Sequence, residues 1–442
     1  MTSILNLPGL NVLRVEEAEH DYHVYAETLG GPASCPHCRS SSVVGFGRHE
    51  RLVRDLPVHG KRLGIYLNAR RYQCRGCSKT FFERLAVIDE TRDMTKRLAE
   101  WIGKQAIKRP FAHIAEETGV VEGTVRKVFH AYVEGLQKTI RFETPDWLGI
   151  DEIHIIKKPR AVIGNVRENT IIEMLEDRNK KTVATYFTTM PTRQRVELVT
   201  MDMWTPYRDA AAALLPQAVV IVDKFHVVRM ANAAVEAVRK AHRASLTPKA
   251  RRGLMHDRYV LLKRAASLTD RDALLLSGWT ANYPALKSAY DAKEAFFGLY
   301  DCTSRAEAVR YYEAWKNRVA DDVAWAFKDI TTAMRNWHPQ ILNYFDHRIT
   351  NAFTESMNNL IRLMNRIGRG YSFEALRAKV LYTDKLHKLR RPKFKRVMLG
   401  DGDFGYAAPG EKMGRWTMQA SAAENLGVDV TTLIDLLEAD GL

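Results

Sequence analysis

A chain of 442 residues, 46% hydrophobic and 27% charged, has ample material for a packed core and reads as an ordinary globular protein of roughly two to four domains. Its 67 lysines and arginines against 52 acids leave a net charge of +15, which points to a polyanionic partner. No apolar run approaches the roughly 18 residues that span a bilayer. The first thirteen residues lack a basic region and a small-residue cleavage site, so a cytoplasmic protein with no membrane partner is expected.

The first region, residues 1–83, carries Cys35-Pro36-His37-Cys38 and Cys74-Arg75-Gly76-Cys77, separated by 35 residues. Each Cys-x2-Cys turn puts two thiolates on one metal, and two such knuckles fill a tetrahedral structural zinc site, leaving no place for a catalytic water. Between them Ile65, Leu67 and Ala69 alternate with Tyr66, Asn68 and Arg70, the pattern of a ribbon strand. The fifth cysteine, Cys302, stands alone and reads as a small buried apolar residue.

Residues 84–144 follow a helical period. Leu98, Ile102, Ala106 and Ile107 form one stripe. Ile114 and Ala115 then lead through Gly119 to Val125 and Val128, the pattern of a helix-turn-helix. Its second helix would offer Thr124, Arg126 and Lys127 to the major groove, although an αα-hairpin with no DNA role shares this pattern.

After Pro145 the pattern changes to strands. Trp147 to Ile156 is the first, and Thr170–Leu175 with Thr182–Phe187 reads as a hairpin. Val196–Met201 and Ala218–Val222 follow, flanking a helix over Tyr207–Leu215. Three antiparallel strands and then a strand–helix–strand is the order of a ribonuclease-H-like sheet. From about 230 to 345 the chain is helical, with Trp279, Trp315, Trp325 and Trp337 expected as core anchors. Helical signal returns at Asn351 and runs to about Leu389. The tail, 393–442, reads as loose and Gly-rich with a short helix near Thr431–Leu437.

Asp151 and Asp202 lie on two separate strands, and Glu355 lies on a later helix. Carboxylates on neighbouring strands can share hard divalent cations such as Mg²⁺ or Mn²⁺, and a pair of ions about 4 Å apart suits in-line phosphodiester displacement. Strand-end aspartates are also common caps and turn formers. Asp223 ends a strand too, so spacing leaves Asp202 and Asp223 both open as the second acid.

The strings Gly149-Ile150-Asp151-Glu152, Met201-Asp202-Met203-Trp204-Thr205-Pro206-Tyr207, Val222-Asp223-Lys224-Phe225-His226-Val227-Val228 and Thr350 to Arg362 together resemble the ISL-three family of insertion-sequence transposases. The cysteine knuckles and helix-turn-helix match that family's order, and the resemblance extends to about Leu389. It implies a multidomain α/β protein whose ribonuclease-H-like DDE domain, residues 145–392, contains an all-helical insertion before the last acid. It implies an enzyme that binds terminal inverted repeats of double-stranded DNA, nicks them and joins their 3′ ends to target DNA. A homodimer or larger assembly on paired ends is the implied partner state. The same layout favours Asp151, Asp202 and Glu355 as catalytic metal ligands, with Asp223 and His226 in support.

Two further expectations follow from the residues. Thr188 to Arg195 is too short for a full helix between the third and fourth strands, which would leave the sheet poorly covered. Arg362, Arg366, Arg369, Arg377, Lys379, Lys385, Lys388, Arg390, Arg391, Lys393, Lys395 and Arg396 suit a DNA backbone track, with a solvated basic face as the plainer alternative. The competing functional reading is a catalytically inactive helix-turn-helix and zinc-ribbon regulator. An RNA nuclease is disfavoured, because a helix-turn-helix reads B-form major grooves.

Overall fold

The computed structural model of the chain describes residues 6–351, 353–368, 370–383, 386–391, 394–398, 416–420 and 423–431. It divides into two compact units, Met1–Arg141 with Leu363–Lys385, and Phe142–Arg362 with Leu386–Leu442. The segment 363–385, read from sequence as part of the DDE domain, therefore groups with the first unit.

In the first unit, β1 (Leu10–Glu17), β2 (Asp21–Thr28), β3 (Val43–Val58), β4 (Lys61–Cys74), β5 (Thr80–Phe82), β6 (Ile88–Asp89) and β7 (Met94–Thr95) form one sheet. The long β3–β4 hairpin is its spine, and Val53, Leu63, Ile65, Leu67 and Ala69 bury one face against Val24 and Ala26. Three helices follow: α1 (Lys96–Lys108), α2 (Phe111–Thr118) and α3 (Glu122–Thr139). Leu98, Ile102, Ala106 and Ile107 are buried on α1 as the period requires, and Gly119 takes the left-handed φ of 69° that ends α2. Thr95 caps α1 by accepting from the Leu98 amide and donates to the buried Asp55 of β3, 2.5 Å away. Arg97 completes the tie with Nε 2.9 Å from the same carboxylate. Asp55 has no exposure, so removing its cationic partner costs about 3–5 kcal/mol.

The second unit begins with β8 (Trp147–Ile155), β9 (Lys158–Asn165) and β10 (Thr170–Met174), followed by α4 (Lys180–Thr189), β11 (Leu198–Met201), α5 (Thr205–Leu214) and β12 (Val219–Val222). An insertion then runs through α6 (Lys224–Ala241), α7 (Pro248–His256), α8 (Arg258–Leu262), α9 (Asp270–Asn282), α10 (Pro284–Phe297), α11 (Arg305–Arg318) and α12 (Lys328–His347). After it come α13 (Phe353–Ile367), α14 (Phe373–Tyr382), which belongs to the first unit, and β13 (His387–Arg390), β14 (Phe394–Met398), β15 (Trp416–Ala420) and β16 (Glu424–Asp429). The central sheet has the order β12-β11-β8-β9-β10-β16-β13. β8, β9 and β10 are antiparallel, whereas β11 is parallel to both β8 and β12.

Several expectations are corrected here. Thr182–Phe187 is helix α4, not a strand: Val183 and Phe187, one turn apart, pack with Tyr207, Ala210 and Ala211 of α5. The hairpin partner of β10 is β9, which the Lys158-Pro159-Arg160 opening disguised as loop. The predicted lack of a covering helix disappears with it, since α4 precedes β11. The tail is not wholly loose, because β16 pairs with β10 and with β13, whose residues His387–Arg390 had read as helix. The predicted terminal helix lies outside the described residues beyond Thr431. Trp315 and Trp337 are buried, Trp279 is partly so, and Trp325 is 55% exposed and no core anchor. Cys302 is buried as expected.

Lys379 leaves the predicted basic track altogether. It is buried on α14, and its Nζ donates to the backbone oxygens of Ala106 and, at 3.0 Å, Arg109, the last orphan carbonyls of α1. The rings of Tyr371, Phe111 and Phe129 surround it at 4.6, 4.7 and 5.6 Å. Burial, with the nearby Arg126 charge, pushes this ammonium down to about 7. Above that value the unfolded chain holds a proton that the folded chain has released. Stability should therefore rise with pH from about 7 towards the ordinary lysine range and be flat below it. Thermal melts at pH 6.5, 8 and 9.5 test this: the wild-type midpoint should climb relative to Lys379→Met, and parallel curves would contradict it.

Candidate metal and DNA sites

The alternation of β8 decides which carboxylate faces where. Leu148 and Ile150 point into the core beneath α4 and α5, so Gly149 and Asp151 face the opposite side of the sheet. β11 pairs in parallel with Met201 opposite Ile150, which brings Asp202 beside Asp151 as β11 ends. Ligand atoms of Asp151, Asp202 and His226 all lie within 4.8 Å of one another. His226 enters from the first turn of α6, with Nε2 2.5 Å from Asp202 Oδ1. That oxygen is buried and has no hydrogen bond of good geometry, as are Asn351 Oδ1, Thr354 Oγ1 and Asn358 Oδ1 around the same cleft. A converging set of unsatisfied hard oxygens fits a divalent cation.

Asp223 plays a different structural part. It caps α6, accepting from the Phe225 amide at 3.2 Å, and is 5% exposed. Its carboxylate still lines the cleft, with its pKa raised chiefly by burial. Burial, and then the Asp202 charge, push Asp151 up to about 6. For His226 burial acts downward, but contact with Asp202 and the charges of Asp202 and Asp223 more than offset it and leave its pKa raised.

Helix α13 supplies the remaining wall. Glu355, Asn358, Asn359 and Arg362 lie at i, i+3, i+4 and i+7, a single helical face, and all line the cleft. Glu355 is exposed there and stands outside the close trio of Asp151, Asp202 and His226. Asn358 Nδ2 donates to Asp151 Oδ2 at 2.7 Å, while the other Asp151 oxygen accepts the Glu152 amide at 2.8 Å. The close fit depends on glycine twice. A Cβ on Gly149 would meet Asn351 Oδ1 at 2.8 Å, and one on Gly164 would meet the Phe353 ring at 2.6 Å. A support not foreseen from sequence is Arg178, which pairs with the cleft-lining Glu152 and lies 4.2 Å over the Trp204 ring. Only the Gly-x-Asp spacing and the helical period hinted at these supports.

In the first unit the four cysteines converge, with Cys38–Cys74 and Cys35–Cys77 sulfur separations of 3.5 and 3.7 Å. A tetrahedron with zinc–sulfur bonds of about 2.3 Å has edges of about 3.8 Å, so the thiols fit a structural zinc. Of the predicted groove contacts, Lys127 is exposed and Thr124 half-buried. Arg126 is engaged within the unit, 2.5 Å from Glu122 and 4.9 Å over the Phe111 ring. Arg362 and Arg366 are exposed, and Arg369 lies outside the described residues. Lys388 and Arg390 are paired with Glu168.

Comparison with known proteins agrees with this layout. Residues 148–380 match the family model described as transposase, with 31–77 matching the zinc finger of transposases IS204, IS1001, IS1096 and IS1165. Residues 83–133 match the helix-turn-helix domain of transposase family ISL3. This chain belongs to the ISL3 family of transposases. It is 24% identical over 382 residues to the transposase for insertion sequence element IS1001 of Bordetella parapertussis, covering 84% of this chain and 94% of that protein. It is also 25% identical to the transposase for insertion sequence element IS1557 of Mycobacterium tuberculosis, over 57% of this chain and 63% of that protein. The order is zinc ribbon, helix-turn-helix and DDE domain, which implies DNA binding and a divalent metal. Among the described residues no helix is long and apolar enough to cross a membrane.

The zinc site gives a direct prediction. The purified transposase should carry one zinc per chain by atomic emission. Cys74→Ser should lose it and melt at least about 5 °C lower, since structural zinc binding is also folding free energy. A zinc-free wild type of unchanged stability would refute the assignment.

Proposed function

We propose that this transposase binds the terminal inverted repeats of its element, cleaves them and joins the 3′ ends to target DNA, using Asp151, Asp202 and Glu355. The observation that carries this reading is the meeting of Asp151, within β8, and Asp202, just past the end of the adjacent parallel β11, in the cleft that the Glu355 face of α13 also lines. The strand order, three antiparallel strands flanked by two parallel ones, supports a ribonuclease-H-like domain interrupted by helices from about 230 to 345.

Asp151, Asp202 and Glu355 would hold Mg²⁺ or Mn²⁺. When bound, such ions lower the pKa of an attacking water or hydroxyl and neutralise charge on the scissile phosphate. The protein's own residues set up that chemistry. Asn358 fixes one Asp151 oxygen through a hydrogen bond, which orients the other side of the carboxylate. His226 stands against Asp202, with Nε2 2.5 Å from its carboxylate, and that contact raises the imidazole pKa. Arg229 and Arg362 bring positive charge to the cleft, where a phosphate backbone would lie. Asp202 is favoured over Asp223 as the second acid, since the Asp223 carboxylate is occupied in capping α6. A homodimer or larger assembly on paired ends completes the reading.

The test is cleavage and joining of labelled DNA bearing the element's own ends, in Mg²⁺ and in Mn²⁺. Asp151→Asn, Asp202→Asn and Glu355→Gln should each lower strand cleavage at least about 100-fold while retaining end binding. Asp223→Asn should cut measurably, with reduced stability. Loss confined to Asp223→Asn would move the second acid, and wild type that binds without cutting would leave a DNA-binding regulator.

A further inference from the structure

The positive charge of the first unit is unevenly placed. Residues 31–84 contain eleven lysines and arginines against three acids, whereas residues 85–141, the helix-turn-helix, contain ten against eight. An excess of eight in the ribbon is more than half of the chain's +15. Two of the ribbon's three acids are turned inward: Asp55 binds Thr95 and Arg97, and Glu83 binds the Thr28 hydroxyl and the Arg70 amide. Of the three, only Glu50 remains exposed, against Arg39, Arg71, Arg75, Lys79 and Arg84, while Arg48 pairs with Glu27 of β2.

One part of this surface has a built character. Ile65, Leu67 and Ala69 line the buried face of β4, and Arg71 continues the same alternation beyond the core. It stands opposite Phe82 of β5 and beside an irregularity in β3 that carries Phe46 and Gly47, the latter with a φ of 104°. The Arg71 guanidinium lies 5.5 Å from the Phe46 ring and 5.7 Å from the Phe82 ring. Both rings are almost half exposed, at 49% and 45%, and the His49 ring lies tilted against Phe82 at 6.0 Å. Arg71 donates to the Thr80 hydroxyl at 2.9 Å and forms no ion pair among the described residues. The rings thus orient a guanidinium whose charge no carboxylate balances. Two half-exposed phenylalanines beside an arginine with no ion pair among the described residues offer a surface suited to a ligand that is both anionic and partly apolar.

We infer that the zinc ribbon carries a DNA-gripping surface of its own, centred on Arg71 between Phe46 and Phe82 and separate from the recognition helix. This rests on the proposed binding of the element's ends and adds to it a division of labour. The helix-turn-helix, nearly neutral and with Arg126 paired to Glu122, reads bases. The ribbon supplies most of the phosphate contacts, with Arg71 on the backbone and the two rings against the apolar edges of the sugars. Charge complementarity selects duplex DNA over a second copy of this chain, whose own ribbon would repel it.

Full-length, zinc-loaded protein is titrated by fluorescence anisotropy against a 50 bp duplex from the element's end and a scrambled duplex of equal length, over a range of salt. Arg71→Ala should weaken both duplexes alike and reduce the slope of log affinity against log salt by about one. Arg71→Lys should restore the slope. Phe46→Ser with Phe82→Ser should weaken binding about tenfold with the slope kept. Zinc content and melting temperature report on folding of each variant. Wild-type affinity and slope in all three variants would overturn the inference alone, leaving the proposed activity standing. A change of sedimentation coefficient in place of DNA affinity would reassign the surface to contact between copies. Failure of wild type to bind either duplex would overturn both readings.

Discussion

Parallel pairing of β11 with β8 is the constraint on which the second unit depends. With Met201 opposite Ile150, β11 ends while β8 runs on beside β9, and the next residue of each strand is an aspartate. Two like charges brought this close are unfavourable without compensation, and the surroundings are arranged to supply it. An amide from Asn358 and the imidazole of His226 take one acid each. A one-residue slip in β8 would turn Asp151 into the core beneath α4 and α5 and bring Ile150 to the cleft. The hydrophobic alternation that forbids the slip is therefore what keeps the acids together.

Helix α13 is held to this sheet by absence of bulk. Gly164 on β9 leaves room for the Phe353 ring, and Gly149 on β8 leaves room for the Asn351 side chain. Those two contacts fix the start of α13, and the helical period then carries Glu355, Asn358 and Arg362 to the cleft together. The glycine in the Gly-x-Asp string is thus a packing requirement tied to an asparagine two hundred residues away in sequence.

Much of this was legible in the residues. The doubled cysteine spacing, the αL glycine after α2 and the strand-ending aspartates each carry a local signal strong enough to place them. What failed did so where local pattern and tertiary packing disagree. Thr182-Val183-Ala184-Thr185-Tyr186-Phe187 is rich in β-branched and aromatic residues, yet its one-turn pair Val183 and Phe187 finds a partner in α5 and the segment folds as helix. Lys379 looked like one member of a basic run, and nothing in its neighbours reveals that the carbonyl end of α1 and three aromatic rings enclose it. Arg126 likewise reads as a groove contact, although a glutamate one turn earlier had already claimed it. Charges are poor guides to exposure when their partners are distant in sequence.

Both units are closed by chain that is made last. The N-terminal unit needs α14 against α1 and α3, and the sheet edge at β10 is covered only when β16 arrives from the final tenth of the sequence. Until then a growing chain presents the open β10 edge and an aromatic cluster around Phe111 and Phe129 that lacks its lysine. The first unit has all its chain once α14 is made, whereas the second still waits for β16, so a product truncated between them would lack only the second seam. The late place of β16 is in this sense a gate on the second unit, one that follows from the order of the elements along the chain.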